Sequence, residues 1–262
     1  MNPADPARLP RYARQLALPG LGLSGQRALL AGRALIVGVG GLGTWTAELL
    51  ARAGVGFLRL ADPDVVELTN IHRQALYDES DAAAGRPKVY AAARRLARIN
   101  SAVAVEPAPV RVDARNIASL AGDVDVVVDG TDNFLARFII NDFCVKTGRA
   151  WVFAGAVGAE AQLMTILPGQ TACLRCILPE PPPPCLDPTC RLAGVFGPAV
   201  AAVAALQAAE ALKILAGRAE AVCPSLIKLD VWTGRIQSIR APRLADGDCP
   251  CCQQREFEYL DV

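Results

Sequence analysis

A chain of 262 residues, 52% hydrophobic and 20% charged, is long enough to bury a sizeable core and is neither disordered nor fibrous. Its 27 basic and 26 acidic residues leave a net charge of +1, without the basic surplus that binding to duplex DNA or RNA requires. A Ser-His-Asp triad, a histidine-rich zinc site or a haem site would each have to rest on the one histidine, His72, which argues against all three.

The opening Met1-Asn-Pro-Ala-Asp-Pro6 has no basic region followed by an apolar core, so the expectation is a soluble cytoplasmic protein without a secretory signal. Residues 1–30 are expected to form an N-terminal helical arm. Short apolar runs then alternate with helical patterns, as in a parallel sheet with crossover helices. Strands are predicted at Ala34–Val37, Phe57–Leu60, within Ala102–Val110, at Val124–Val128 and at Trp151–Phe153. Helices are predicted at Thr44–Ala53, closed by Gly54, at Lys88–Ile99 and from about Phe134 to Lys146. Gln162–Leu167 alternates as an antiparallel strand would, and Leu226–Val231 with Arg235–Ile239 reads as a hairpin around Thr233-Gly234.

The uncharged stretch Leu192–Ala209 is rich in alanine and contains Gly194, Gly197 and Pro198, so it predicts a buried helix beginning after Pro198 rather than a membrane span. Pro179-Glu-Pro-Pro-Pro-Pro184 cannot lie in a sheet interior and predicts an exposed, flexible crossover loop over 178–192. The motifs on its two sides need each other, so 1–262 is read as one domain. The expected fold is α/β: a Rossmann-like three-layer αβα arrangement whose parallel N-terminal sheet is extended by antiparallel strands.

Gly38-Val-Gly-Gly-Leu-Gly43 follows a strand and opens a helix, in the pattern of a nucleotide-binding turn. Glycines allow the tight turn and close backbone approach to phosphate, and the helix N-terminus offers bare amides to an anion. Asp62, ending the next strand, is placed to accept bonds from ribose hydroxyls. These features suit NAD or ATP equally. Asn70, Arg73, Gln74 and Lys88 add polar and cationic groups of the kind a triphosphate needs, and Asp132 is placed to hold Mg²⁺. Each has a plainer alternative: Arg73 as a surface arginine, Lys88 as a solvated helix residue, Asp132 as the N-cap of the Phe134 helix.

Nine cysteines, without an export signal, argue against a disulfide framework. Cys173-Leu-Arg-Cys176 and Cys249-Pro-Cys-Cys252 form two Cys-x-x-Cys units, and four thiolates so paired predict a closed structural Zn²⁺ site that staples the C-terminal part. Spacing selects Cys249 and Cys252 and leaves Cys251 spare.

In order along roughly residues 11–255, the chain resembles the ThiF/MoeB/HesA family, bacterial relatives of ubiquitin-activating enzymes. The resemblance is carried by Arg11-Tyr-Ala-Arg-Gln15, Gly38–Gly43, Ala53-Gly-Val-Gly56, Asp62-Pro-Asp64, Asn70-Ile-His-Arg-Gln74, Gly85-Arg-Pro-Lys-Val89, Asp129-Gly-Thr-Asp-Asn133, Arg137, Asn141, the cysteine pairs and Gly194-Val195. It implies adenylation by Mg·ATP of the C-terminal glycine carboxylate of a small ubiquitin-like sulfur carrier ending in Gly-Gly. By the same resemblance Gly38, Gly40, Gly41 and Gly43 line the phosphates, and Asp62 binds ribose with Asp64, Asn70 and Gln74 nearby. Arg73 and Lys88 neutralise the triphosphate, and Asp132 beside Asn133 is the Mg²⁺-linked acid. Arg14 is delivered to the ATP of the partner in a homodimer. Cys190 matches a cysteine that some relatives use to take up the acyl group or sulfur, which a sulfurtransferase or cysteine desulfurase would supply. Cys185 and the proline run have no family counterpart. The alternatives are a nicotinamide-dependent oxidoreductase and a non-catalytic member that only docks a partner.

Overall fold

A computed structural model describes residues 6–182, 194–243 and 248–261. One eight-stranded sheet runs in the order β3-β2-β1-β4-β5-β6-β7-β8. The parallel strands are β1 (Arg33–Val37), β2 (Phe57–Ala61), β3 (Ala104–Ala108), β4 (Val126–Asp129) and β5 (Ala150–Val157). Antiparallel β6 (Glu160–Ile166), β7 (Leu226–Asp230) and β8 (Arg235–Ile239) continue it, the last two as the expected hairpin.

Period-two alternation sorts the core into two layers. Ala34, Ile36, Val126 and Val128 pack against α2 (Gly41–Ala53), α3 (Lys88–Ile99) and α5 (Gly197–Leu215). Leu35, Val37 and Val127 face the other way, onto α4 (Phe134–Thr147) and the cysteine-bearing segments. An N-terminal helix, α1 (Gly22–Ala31), joins the first layer through Leu29. The expected αβα sandwich is therefore the observed one.

α5 is long and apolar enough, by length and composition, to cross a membrane, but half of it is buried inside the protein. Its polar side chains are matched inside. Gln207 donates to the carbonyls of Asp129 (2.7 Å) and Val152 (2.9 Å) and accepts from the Thr46 hydroxyl (2.8 Å), so the helix is stitched to the end of β4 and to β5. It begins at Gly197, so Pro198 lies inside its first turn rather than just before the helix, where its missing N–H costs nothing.

Two further elements differ from expectation. α2 starts at Gly41 rather than Thr44, because the glycine turn itself winds into the first helical turn. β5 continues past Phe153 through Ala154-Gly-Ala to Val157, although small residues disfavour strands. Gly155 leaves room for Arg137: a Cβ would sit 3.3 Å from its Nη2, a tight contact that would press on the guanidinium.

The arm docks at the far end of α2 from the glycine turn. Tyr12 lies so close to Gly54 that a Cβ there would be 2.4 Å from the ring, and Asn100 donates to the Tyr12 hydroxyl (2.9 Å). Gln15 donates to the Ala53 carbonyl (3.0 Å).

Candidate nucleotide site and cysteine cluster

The strand order reverses between β1 and β4, and in open parallel sheets this switch point, at the carboxyl edge, is where ligands bind. Two loops meet there so closely that only glycine fits. A Cβ on Gly38 (φ 84°) would lie 2.6 Å from the Gly130 oxygen, and one on Gly43 would lie 1.9 Å from the Gly38 oxygen. Gly40 is different: a Cβ there would meet only Gln74 Nε2, at 3.7 Å. Packing within the protein does not require that glycine, and the space above it suits the close approach of a phosphate. Gly43→Ala is therefore expected to cost about 3 kcal/mol or more in stability. Gly40→Ala should stay within about 1 kcal/mol of the parent while weakening Mg·ATP binding; thermal melts and calorimetric titration measure the two effects.

Asp62 extends from the end of β2 under this turn, accepting the Val39 N–H (2.7 Å) on one oxygen and the Asp64 N–H (2.8 Å) on the other. Each oxygen keeps a free lone pair, enough for two vicinal hydroxyls. Burial pushes its carboxyl pKa up, while the nearby Lys88 ammonium and the two N–H bonds pull it back. Lys88 opens α3 and is almost fully buried, with its Nζ 2.9 Å from Asp64 Oδ2. The solvated-residue alternative for Lys88 thus fails.

Arg73 ends a short turn, Ile71–Arg73, whose backbone is held by Trp45 Nε1 donating to the Arg73 carbonyl (3.2 Å). Its stem lies 3.8 Å from where a Gly41 Cβ would be. Its fork donates to Thr69 O (3.3 Å) and Asn70 Oδ1 (2.9 Å). Gln74 beside it is buried, and its Oε1 has no partner. An orphaned polar atom next to an unfilled turn marks space that a polar ligand completes.

After β4 the chain runs Asp129-Gly-Thr-Asp-Asn133. The N-cap of α4 is Asn133, not Asp132: Asn133 Oδ1 accepts the Ala136 N–H at 2.9 Å. Asp132 is exposed and, among the described residues, makes no hydrogen bond or ion pair, so its carboxylate is free to meet a cation. The loop is fixed from below by a pair the sequence reading did not single out. Asp129 is fully buried and faces Arg137 Nε (3.3 Å), which also donates through Nη2 to Thr131 O (2.8 Å). Burial pushes the Asp129 pKa up and Arg137 opposes it.

On the opposite layer, the Sγ atoms of Cys173, Cys176, Cys249 and Cys252 all lie within 4.8 Å of one another. Neighbouring pairs are 3.8, 3.6 and 3.5 Å apart. Four sulfurs about 2.3 Å from a tetrahedral Zn²⁺ would be separated by roughly 3.8 Å, so the cluster fits zinc and leaves no open coordination position. Cys251 is not one of the four, as expected: its sulfur accepts from Asn141 Nδ2 (3.2 Å) and lies beside Asp142 and Cys173.

The ThiF family model matches residues 12–251. The chain belongs to the ThiF family. It is 42% identical over 250 residues to the sulfur carrier protein ThiS adenylyltransferase of Bacillus subtilis, covering 95% of this chain and 73% of that one. It is also 42% identical over 245 residues to the adenylyltransferase and sulfurtransferase MOCS3 of Sus scrofa, covering 94% of this chain and 53% of the relative, so it spans about half that protein's length. The crystal structure of E. coli MccB with ATP superimposes with a TM-score of 0.79 at 26% identity, over 92% of this chain and 74% of that chain. The first two are named adenylyltransferases and the third was solved with ATP, which weighs against the nicotinamide dehydrogenase alternative.

For this ThiF-family chain the structure brings Gly38, Gly40, Gly41, Gly43, Asp62, Asp64, Lys88, Asn70, Arg73 and Gln74 to the carboxyl edge of β1 and β2, with Asp132 and Asn133 beside them after β4. Arg14 does not join them. It sits on the arm at the other end of α2, a helix of 13 residues and hence about 20 Å long, so it cannot serve its own chain's cleft. Cys190, Cys185 and most of the 178–192 loop lie outside the described residues.

Proposed function

We propose that this chain adenylates the C-terminal glycine of a small ubiquitin-like sulfur carrier ending in Gly-Gly, in the cytoplasm and as a homodimer. The observation that carries the reading is the cleft itself: a glycine turn open to phosphate, two cations, and an unengaged carboxylate at one sheet edge. The names of the relatives supply the carrier class.

One oxygen of the carrier carboxylate attacks the α-phosphorus of ATP, and the bond from that phosphorus to the α–β bridging oxygen breaks. Pyrophosphate leaves, and the carboxyl group is left as a mixed anhydride whose leaving group is AMP rather than oxide. The step needs alignment and charge neutralisation rather than a covalent catalyst. The amides of Gly40 and Gly41 at the start of α2 bind phosphate oxygens, and Asp62 accepts the ribose hydroxyls. Arg73 and Lys88 neutralise charge, Asn70 and Gln74 complete the polar lining, and Asp132 holds Mg²⁺. Cys190 takes up either the acyl group, its sulfur attacking the mixed anhydride and releasing AMP, or the outer sulfur of a persulfide on a sulfurtransferase or cysteine desulfurase, which leaves as a thiol. Zinc staples the fold and takes no part in the chemistry. ATP–pyrophosphate exchange tests the whole reading: it should require a carrier ending in Gly-Gly and vanish when the terminal glycine is deleted.

An arginine delivered to a transferring phosphate is worth about 10³–10⁵ in rate in other phosphate-transfer enzymes. Because Arg14 lies far from its own cleft, Arg14→Ala and Asp132→Ala proteins should each be inactive yet complement one another. Statistical exchange makes half the dimers mixed, each with one intact site, so about a quarter of the sites regain activity. Failure of the mixture to recover exchange would overturn the delivery of Arg14 across a dimer.

A further inference from the structure

The only imidazole in the chain lies beside the arginine of the phosphate cleft: His72 Nε2 is 2.9 Å from Arg73 Nη1. We infer that His72 is a positioning residue for Arg73, accepting a hydrogen bond at Nε2 as a neutral ring protonated at Nδ1, and so presetting the guanidinium for phosphate. The inference rests on the adenylation reading above only for the identity of the ligand.

The donor count supports it. A guanidinium has five N–H groups and cannot be deprotonated, so the nitrogen facing it must accept. One N–H goes to Thr69 O, one to Asn70 Oδ1 and one to His72, which leaves two for phosphate oxygens. Three acceptors within the four residues before Arg73 remove rotamer freedom that a long side chain otherwise loses on binding. The segment is itself held: Trp45 grips the Arg73 carbonyl, and the His72 carbonyl lies 3.1 Å from where a Gly197 Cβ would be, at the start of α5. The imidazole and the guanidinium are thus fixed to one backbone segment, and among the described residues neither bonds another side chain beyond Asn70. The ring is exposed, so water competes and the contribution is that of a modest hydrogen bond.

A single histidine makes the test direct, since ¹⁵N-labelled protein shows one ring. Long-range ¹H–¹⁵N correlation at pH 8 should report the Nδ1–H tautomer, the less common one in free histidine, and Arg73→Gln should return the ring to Nε2–H. Adding Mg²⁺ with a non-hydrolysable ATP analogue should shift the Nε2 signal. In pyrophosphate exchange, His72→Leu should raise the KM for ATP about three- to tenfold with kcat retained, and His72→Gln, which restores an acceptor, should recover most of it. An Nε2–H ring in the parent protein, or an unchanged KM in His72→Leu, overturns the inference. Absence of exchange in the parent protein counts against the adenylation reading alone, and the tautomer still decides the role of His72.

Discussion

Asp132→Ala is expected to lower carrier-dependent ATP–pyrophosphate exchange by about 10²–10³-fold while leaving the melting temperature unchanged, and Asn133→Ala is expected to do the reverse. The two neighbours divide the work of one loop. Asn133 closes the first turn of α4 through its bond to the Ala136 N–H, and losing such a cap costs about 1 kcal/mol. Asp132 is exposed and has no bond to any other described residue, so alanine there removes nothing the fold uses. A charged group kept at a sheet edge without a structural partner contributes only when a cation and a phosphate arrive. Removing one fixed charge from a transition state of this kind typically costs hundreds-fold in rate. Exchange kinetics and a thermal melt on the two variants make the comparison; Asp132→Ala with near-parental exchange would remove the carboxylate from the reaction.

The same pair shows where sequence reading stops. That a side chain could cap the Phe134 helix was legible, because Asx residues before an apolar run favour the N-cap, but which of two adjacent residues did so depends on where β4 delivers the chain. The parallel half of the sheet and α3 were legible for local reasons: apolar runs of strand length, Pro87 fixing one helix start, glycines closing others. The pairing of Asp129 with Arg137 was not, since it joins a strand end to the middle of the next helix and only burial makes it obligatory. Arg14 shows the opposite case. Its resemblance to a family arginine was readable, whereas its distance from the cleft emerges only once Tyr12 and Gln15 seat the arm on the far end of α2. The four-cysteine cluster was legible, since a knuckle spacing is a local code, but the surroundings of Cys251, beside Asn141, Asp142 and Cys173, required the fold.

Those surroundings set the second large effect. The purified protein should carry one zinc per chain, and stripping it with a strong chelator, or replacing Cys249 by serine, should lower the melting temperature by more than about 10 °C. Without a cation the cluster is unfavourable as thiolates: burial, with Cys176 and Cys249 close by, pushes the Cys252 thiol up to about 12. A divalent metal reverses that preference and turns four crowded sulfurs into a cross-link between the turn after β6 and the C-terminal segment. Other contacts depend on that link. Arg175, between the two ligands of the first pair, donates to Pro179 O (3.2 Å) and pairs with Glu258 (2.6 Å), and Asn141 Oδ1 holds the Leu174 N–H (2.8 Å). Phe138 and Tyr259 close over the same region, ring centroids 4.9 Å apart. Releasing the metal therefore frees residues 249–261 from α4 together with the start of the proline-rich run, a loss in the class of 4–5 kcal/mol. Cys251→Ser is the control. Its oxygen still accepts from Asn141 Nδ2, so zinc content should stay at one per chain and the melting temperature within a few degrees of the parent. Metal analysis of the two cysteine variants separates ligand from neighbour: zinc lost from Cys251→Ser and kept by Cys249→Ser would reassign the fourth ligand.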